Sequence, residues 1–176
     1  MKTIYFIRHA NVKKFKSGES DFEREISNKG KKNLKTITSY LQLVGIKPQL
    51  ILSSCALYAQ QTAVWLRKQL NPGSPTSYLE QLYHTQPEQI LEIITAADDD
   101  KEEIFIVGHS PYLVELVNKL SSTHVAKIPP VGVVAIHFTC DSWADLQQTK
   151  GDICLFIFPK QFHYYMPKQI QATLSL

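Results

Sequence analysis

The apolar residues of this chain fall into short unbroken runs separated by longer amphipathic stretches. Runs at 3–7 (TIYFI), 49–53 (QLILS), 103–107 (EIFIV), 132–138 (GVVAIHF) and 153–158 (ICLFIF) predict strands. The first three are almost continuous, as expected of strands covered on both faces, where neither side needs polar residues. Between the runs the period lengthens. Leu34, Ile37, Leu41 and Val44 mark one face of a helix over 28–44, and Leu57, Ala63, Leu66 and Leu70 mark one over 56–70. Two further helices, over 87–97 and about 111–121, each open on a proline (Pro87, Pro111), which suits the first helical turn. Strand–helix alternation predicts right-handed crossovers and an α/β fold of three layers. The expected architecture is a mostly parallel central sheet with helices on both faces and an antiparallel pair of C-terminal strands around the polar loop 139–152. With no repeat and no linker, residues 1–176 are expected to form a single domain. "DDDKEE" (98–103) reads as a solvated loop. The tail "PKQFHYYMPKQ" reads as packing against the domain, with a dimer contact as the alternative.

Composition narrows the partners. Hydrophobic residues make up 44% and charged residues 20% of 176, the balance of a soluble globule with one core. The net charge of +3 is scattered, with no basic stripe interleaved with aromatics, which argues against nucleic acid but admits a small anionic substrate. No run approaches the ~20 apolar residues of a membrane span. Thr3 to Ile7 is too short for a signal-peptide core. Cys55, Cys140 and Cys154 are odd in number and far apart, so neither a disulfide framework nor a zinc site is expected, and a reducing cytoplasm is the expected location.

Ligands of open α/β sheets lie at the carboxyl ends of the strands. Arg8-His9 follows the first strand, "SSCALYAQQTA" (53–63) occupies the end of the second, and "GHSP" (108–111) follows another. A fourth segment, "DFEREISNKG" (21–30), carries Arg24 just before a helix start at Ser27. Arg8, Arg24 and Arg67 are the only arginines, and two of them fall in these segments. Arginine grips phosphate oxygens in a bidentate fork, and an imidazole among arginines is a phosphate-directed nucleophile.

These segments, in this order, resemble the motifs of the histidine phosphatase superfamily (phosphoglycerate mutase-like), and most of all its SixA-type phosphohistidine phosphatase branch. "YFIRHAN" resembles its Arg-His-Gly/Ala signature, and "DFEREISNKGKKN" the branch's Asp-x-x-Arg segment. "ILSSCALYAQQTA" resembles its Ser-Ser-Pro-x-x-Arg-Ala-x-Gln-Thr-Ala segment. "IFIVGHSP" is similar to the block with the second histidine. "PPVGVVAIHF" and "GDICLFIFPK" look like the late strands. The resemblance implies that His9 attacks phosphorus and becomes phosphohistidine. Arg8 and Arg24 would hold the phosphoryl oxygens, His109 would complete the pocket, and water would then release phosphate. It implies a phosphorylated small molecule or a phosphohistidine protein as substrate and no metal or organic cofactor, the cations supplying the charge stabilisation.

Two departures stand out. Tyr58 occupies the position of a family arginine. One charge-assisted hydrogen bond contributes ~1.5–3 kcal/mol, so its loss is expected to cost roughly tenfold to a few hundredfold. Arg67 lies nine residues on in the same helix, about 13 Å away. Lys13, Lys14 and Lys16 follow His9 more directly, and the Tyr58 hydroxyl offers one donor. The general acid is also not obvious. In "YLEQLYH" (78–84) a register set by the leucine puts Gln81 at the acid position and Glu80 one residue early. An imidazole leaving group needs less proton donation than an alkoxide, so a weak acid suits a phosphoramidate. Two other readings stay open. One is a catalytically impaired relative that binds phosphate or phosphoprotein. The other is a serine hydrolase using Ser110, since "GHSPY" mimics G-x-S-x-G but has Tyr112 in place of the last glycine. His84, His124, His137 and His163 read as loop or surface residues, and Cys55 as a packed residue at a helix entry.

Overall fold

The computed structural model describes residues 1–83 and 85–165. Six strands and five helices follow in order: β1 (Lys2–Arg8), α1 (Asn28–Leu43), β2 (Leu50–Ser54), α2 (Leu57–Leu70), β3 (Thr76–Leu79), α3 (Pro87–Thr95), β4 (Glu103–Gly108), α4 (Tyr112–Leu120), β5 (Val133–Phe138), β6 (Asp152–Ile157) and α5 (Pro159–Tyr165). Short 3-10 turns stand at Asp21–Glu23, Glu80–Leu82 and Trp143–Gln147. The strands form one sheet in the order β3-β2-β4-β1-β5-β6. β1, β2, β3 and β4 pair in parallel, whereas β5 runs antiparallel to both β1 and β6. This is the three-layer α/β architecture with an antiparallel C-terminal pair that the hydrophobic pattern predicts.

The unbroken apolar runs have a direct cause. Tyr5 and Ile7 of β1 pack with Leu34, Ile37 and Leu41 of α1 and Ala59, Ala63 and Leu66 of α2. The alternate residues Ile4 and Phe6 pack with Ile90 and Ile94 of α3 and Leu113, Leu116 and Val117 of α4. Both faces of β1 are buried from Ile4 to Ile7, so no charged residue stands in that stretch. β3 was not predicted. It is four residues at the sheet edge, "TSYL", with Ser77 and Tyr78 exposed, and it has no apolar run to announce it. The predicted solvated loop at 98–103 does more than cross solvent. The Asp99 carboxylate accepts from the Trp143 backbone N–H at 2.8 Å, and the buried Lys2 ammonium lies 5.1 Å from the Trp143 ring.

The start of the tail is helical. Phe162 of α5 is buried and meets Tyr40 of α1 edge-on at 5.3 Å between ring centres, so this part packs against the sheet-bearing body. Residues 166–176 and His84 lie outside the described residues, and so do the expectations attached to them.

Candidate active site

Parallel pairing of β1 with β4 aligns Arg8 with Gly108, and the next residue on each strand end is a histidine. The His9 backbone N–H donates to the Gly108 carbonyl at 3.0 Å, and the two imidazole rings lie 5.2 Å apart, centre to centre. The register of two buried strands therefore sets the spacing of His9 and His109.

The loop leaving β1 is held from three directions. The Ala10 N–H donates to Thr62 Oγ1 at 3.0 Å, and that hydroxyl donates to the Tyr58 carbonyl at 2.7 Å. Gln61 Oε1 accepts from the Ile26 N–H at 2.8 Å. Ser27 caps α1 by accepting from the Gly30 N–H at 3.1 Å, while its own backbone N–H donates to the Asn11 carbonyl at 2.7 Å. A Cβ on Gly30 would stand 2.4 Å from the Asn11 carbonyl oxygen, so only glycine lets α1 approach this closely. Ser27, Gly30 and Thr62 thus act on the backbone of the histidine loop, and Gln61 on that of Ile26.

His9 is mostly shielded, and its Nδ1 lies 2.9 Å from the Ala10 carbonyl oxygen. A carbonyl only accepts, so Nδ1 carries the proton and Nε2 holds the free lone pair. Burial, reinforced by the nearby Arg8 charge and opposed by the Ala10 bond, lowers the His9 pKa to about 4. The imidazole is therefore neutral and nucleophilic at pH 7.

The buried His109 places Nε2 2.8 Å from Ser54 Oγ, at the end of β2. Its Nδ1 is 3.5 Å from the Tyr58 hydroxyl. Tyr58 enters from the first turn of α2, with its ring 4.4 Å from the His9 ring. The Tyr58 hydroxyl proton is engaged elsewhere, donating to Asp21 Oδ2 at 2.9 Å. Toward His109 the phenol oxygen can therefore only accept.

Asp21 was not singled out from the sequence. Besides Tyr58, its carboxylate receives the Arg24 Nη1 at 2.8 Å and the Tyr83 hydroxyl at 3.3 Å. Burial works against the Asp21 carboxylate, but the bonds from Arg24 and Tyr58 outweigh it and hold its pKa below the usual value. Burial and Asp21 together push the Tyr58 phenol pKa up. Two hints to Asp21 were in the sequence: its three-residue spacing from Arg24, and a hydroxyl in place of an arginine, which needs an acceptor once buried.

The expected phosphate ligands divide. Arg8 turns its Nη1 to the Ile128 carbonyl at 3.0 Å, and its buried Nε has no hydrogen-bond partner among the described residues. Arg24 is committed to Asp21 and to the Lys13 carbonyl, at 2.7 Å from Nη2. Lys13 pairs with Glu25, whereas Lys14 and Lys16 lie on the exposed loop. Glu80 sits exposed in the 3-10 turn after β3, and no hydrogen bond joins it to either histidine among the described residues. Its charge is near Cys55, whose thiol pKa is raised by burial and by Glu80. Ser110 is half-buried and makes no hydrogen bond to a histidine among the described residues. His124 is exposed and His137 half-buried at the β5 edge toward Thr3.

The fold, with its two strand-end histidines, is similar to that of solved phosphohistidine phosphatases. The solved structures it resembles include the candidate phosphohistidine phosphatase SixA from Nakamurella multipartitia, at 20% identity and TM-score 0.79, covering 90% of this chain and 96% of that one. The candidate SixA from Agrobacterium tumefaciens matches at 21% identity and TM-score 0.77, covering 89% and 97%. The protein histidine phosphatase SixA complexed with tungstate matches at 16% identity and TM-score 0.79, covering 91% and 99%. No family sequence model matches the chain, and no curated protein matches it by sequence.

Proposed function

We propose that this protein is a phosphohydrolase that works through a phosphohistidine on His9. The observation that carries the reading is the tautomer of His9: Nδ1–H is fixed on Ala10, Nε2 is free, and the ring is neutral beside His109. In the proposed reaction the Nε2 lone pair attacks phosphorus. The bond from phosphorus to the leaving oxygen or nitrogen breaks, and the leaving group takes a proton. Water then attacks the phosphohistidine, the P–N bond breaks, and phosphate and neutral His9 are regenerated. His109, held by Ser54, stabilises charge on the transferring oxygens. Arg8 and Arg24 add positive potential, with Arg24 reaching the phosphoryl group only on leaving Asp21.

The likeness to a tungstate-bound SixA supports a tetrahedral oxyanion at this site and a phosphohistidine or other phospho-substrate. A cytoplasmic, single-domain, metal-independent enzyme is part of the same proposal. The test is single-turnover phosphate release from phosphohistidine and from phosphomonoesters, with and without EDTA. Release that is unchanged by EDTA and faster from the P–N donor supports the proposal. Release lost in EDTA and restored by Mg²⁺ or Zn²⁺ overturns the metal-independent mechanism.

A second reading has its own observation. With Tyr58 in place of an arginine and Arg24 held by Asp21, the pocket lacks a guanidinium ready to stabilise a transferring phosphoryl group, which would slow turnover more than binding. A protein that only binds phosphoanions would give no release from any donor while still binding vanadate.

A further inference from the structure

Next to the histidine site lies a separate cleft of about 870 Å³, within the size range of small-molecule sites. None of His9, His109, Tyr58 or Asp21 lines it. Its cations come from separate parts of the chain: Arg8 at the end of β1, Lys29 in the first turn of α1, Lys127 in the loop before β5 and Lys160 in α5. No carboxylate lines it among the described residues. Lys29 and Lys127 are exposed and form no ion pair among the described residues. Arg8 contributes the buried Nε that has no hydrogen-bond partner among the described residues. Like charges gathered without a counter-charge repel one another, so an anion bound among them relieves that repulsion. Much of the remaining wall is apolar, made by Pro129, Pro130, Pro159, Phe156 and Phe158, the two phenyl rings standing 5.6 Å apart and tilted by 58°. Proline and phenylalanine surfaces accept a planar ring face to face or edge to face, and Arg and Lys beside them take a phosphate.

We propose that this cleft binds a small aromatic phosphate, with Lys29, Lys127 and Arg8 on the phosphate and the Pro–Phe wall on the ring. The site shares Arg8 with the proposed phosphohistidine centre but none of His9, His109, Tyr58 or Asp21, and binding there does not depend on turnover.

Pyridoxal 5′-phosphate is a suitable probe, because its ring, phosphate and aldehyde report on the site together. The aldehyde condenses with a lysine amine, releasing water, and borohydride reduces the imine to a stable secondary amine that peptide mapping locates. The expected result is labelling at Lys29 or Lys127 ahead of the chain's other lysines. Pyridoxine 5′-phosphate should suppress it at concentrations where pyridoxine and inorganic phosphate do not. In the double variant Lys29→Gln/Lys127→Gln, equilibrium binding of pyridoxine 5′-phosphate should weaken at least tenfold, with thermal melting confirming that the variant is folded. His9→Ala should label as wild type does. Labelling spread evenly over surface lysines, suppression by inorganic phosphate alone, or undiminished binding in the double variant would each overturn the proposal.

Discussion

Arg8 and His9 are neighbours in sequence, yet they serve two regions of opposite character. On the His9 side the titratable groups are closed into a network: His109 on Ser54, and Tyr58, Tyr83 and Arg24 all on Asp21. On the Arg8 side no carboxylate lines the cleft among the described residues. The difference shows that a count of arginines in a motif does not measure positive potential at the reacting atom. What matters is which cation has already been claimed by a protein carboxylate or carbonyl, because a bound charge must give up that partner before it serves a ligand. On the two proposals made above, the His9 side would serve a neutral nucleophile with modest charge around it, and the Arg8 side the capture of an anion.

The largest effect expected from breaking this comparison is at His9. His9→Ala should remove turnover altogether, because no other side chain in the network presents a free imidazole nitrogen beside an arginine. Circular dichroism should show the variant folded, and wild-type turnover in it would refute the mechanism.

The next effect is on stability. Folding lowers the His9 pKa from about 6.5 to about 4, so between these values the unfolded chain binds more protons than the folded one. Stability from this residue is therefore complete above about pH 6.5, falls as the pH drops, and is lost below about pH 4. The contribution is on the order of 3 kcal/mol. Urea unfolding of wild type and His9→Gln across this range should show wild type losing more stability on acidification. Parallel curves would mean that His9 is not buried neutral.

Tyr58→Arg comes third. A guanidinium there adds the fork that the resemblance leads one to expect, and vanadate should bind roughly tenfold tighter. Unchanged affinity would show that another cation, Lys14 or Lys16 of the exposed loop, already fills the role. Smallest is Asp21→Asn, which frees Arg24 and removes a negative charge from the pocket. Vanadate affinity should rise about two- to fivefold, the scale of a partly exposed ion pair. A fall in affinity would mean that Asp21 chiefly positions Tyr58 and Arg24 for binding.

How much of this was legible in the sequence depends on what kind of force set each feature. β1, β2 and β4 could be read because both their faces are buried, and their carboxyl ends marked His9 and His109. β3 and α5 could not. "TSYL" is half exposed at an edge, and α5 is a short helix with Phe162 as its buried aromatic anchor. The motif blocks placed Arg8, Arg24 and Tyr58 near the site but not the direction of their side chains. Arg8 answers to the Ile128 carbonyl, 120 residues away in sequence, and no local pattern records that contact. Asp21 stayed hidden because its partners Tyr58 and Tyr83 belong to elements that meet it only in the folded chain.

The central claim is that His9 carries the phosphoryl group. It is tested most directly by mixing the protein with a radiolabelled phosphohistidine donor, quenching within one turnover and mapping the label. The account predicts an acid-labile, alkali-stable phosphate on His9 that forms and decays at rates matching phosphate release. Phosphate release with no label on His9, or with the label on Ser110, would contradict it.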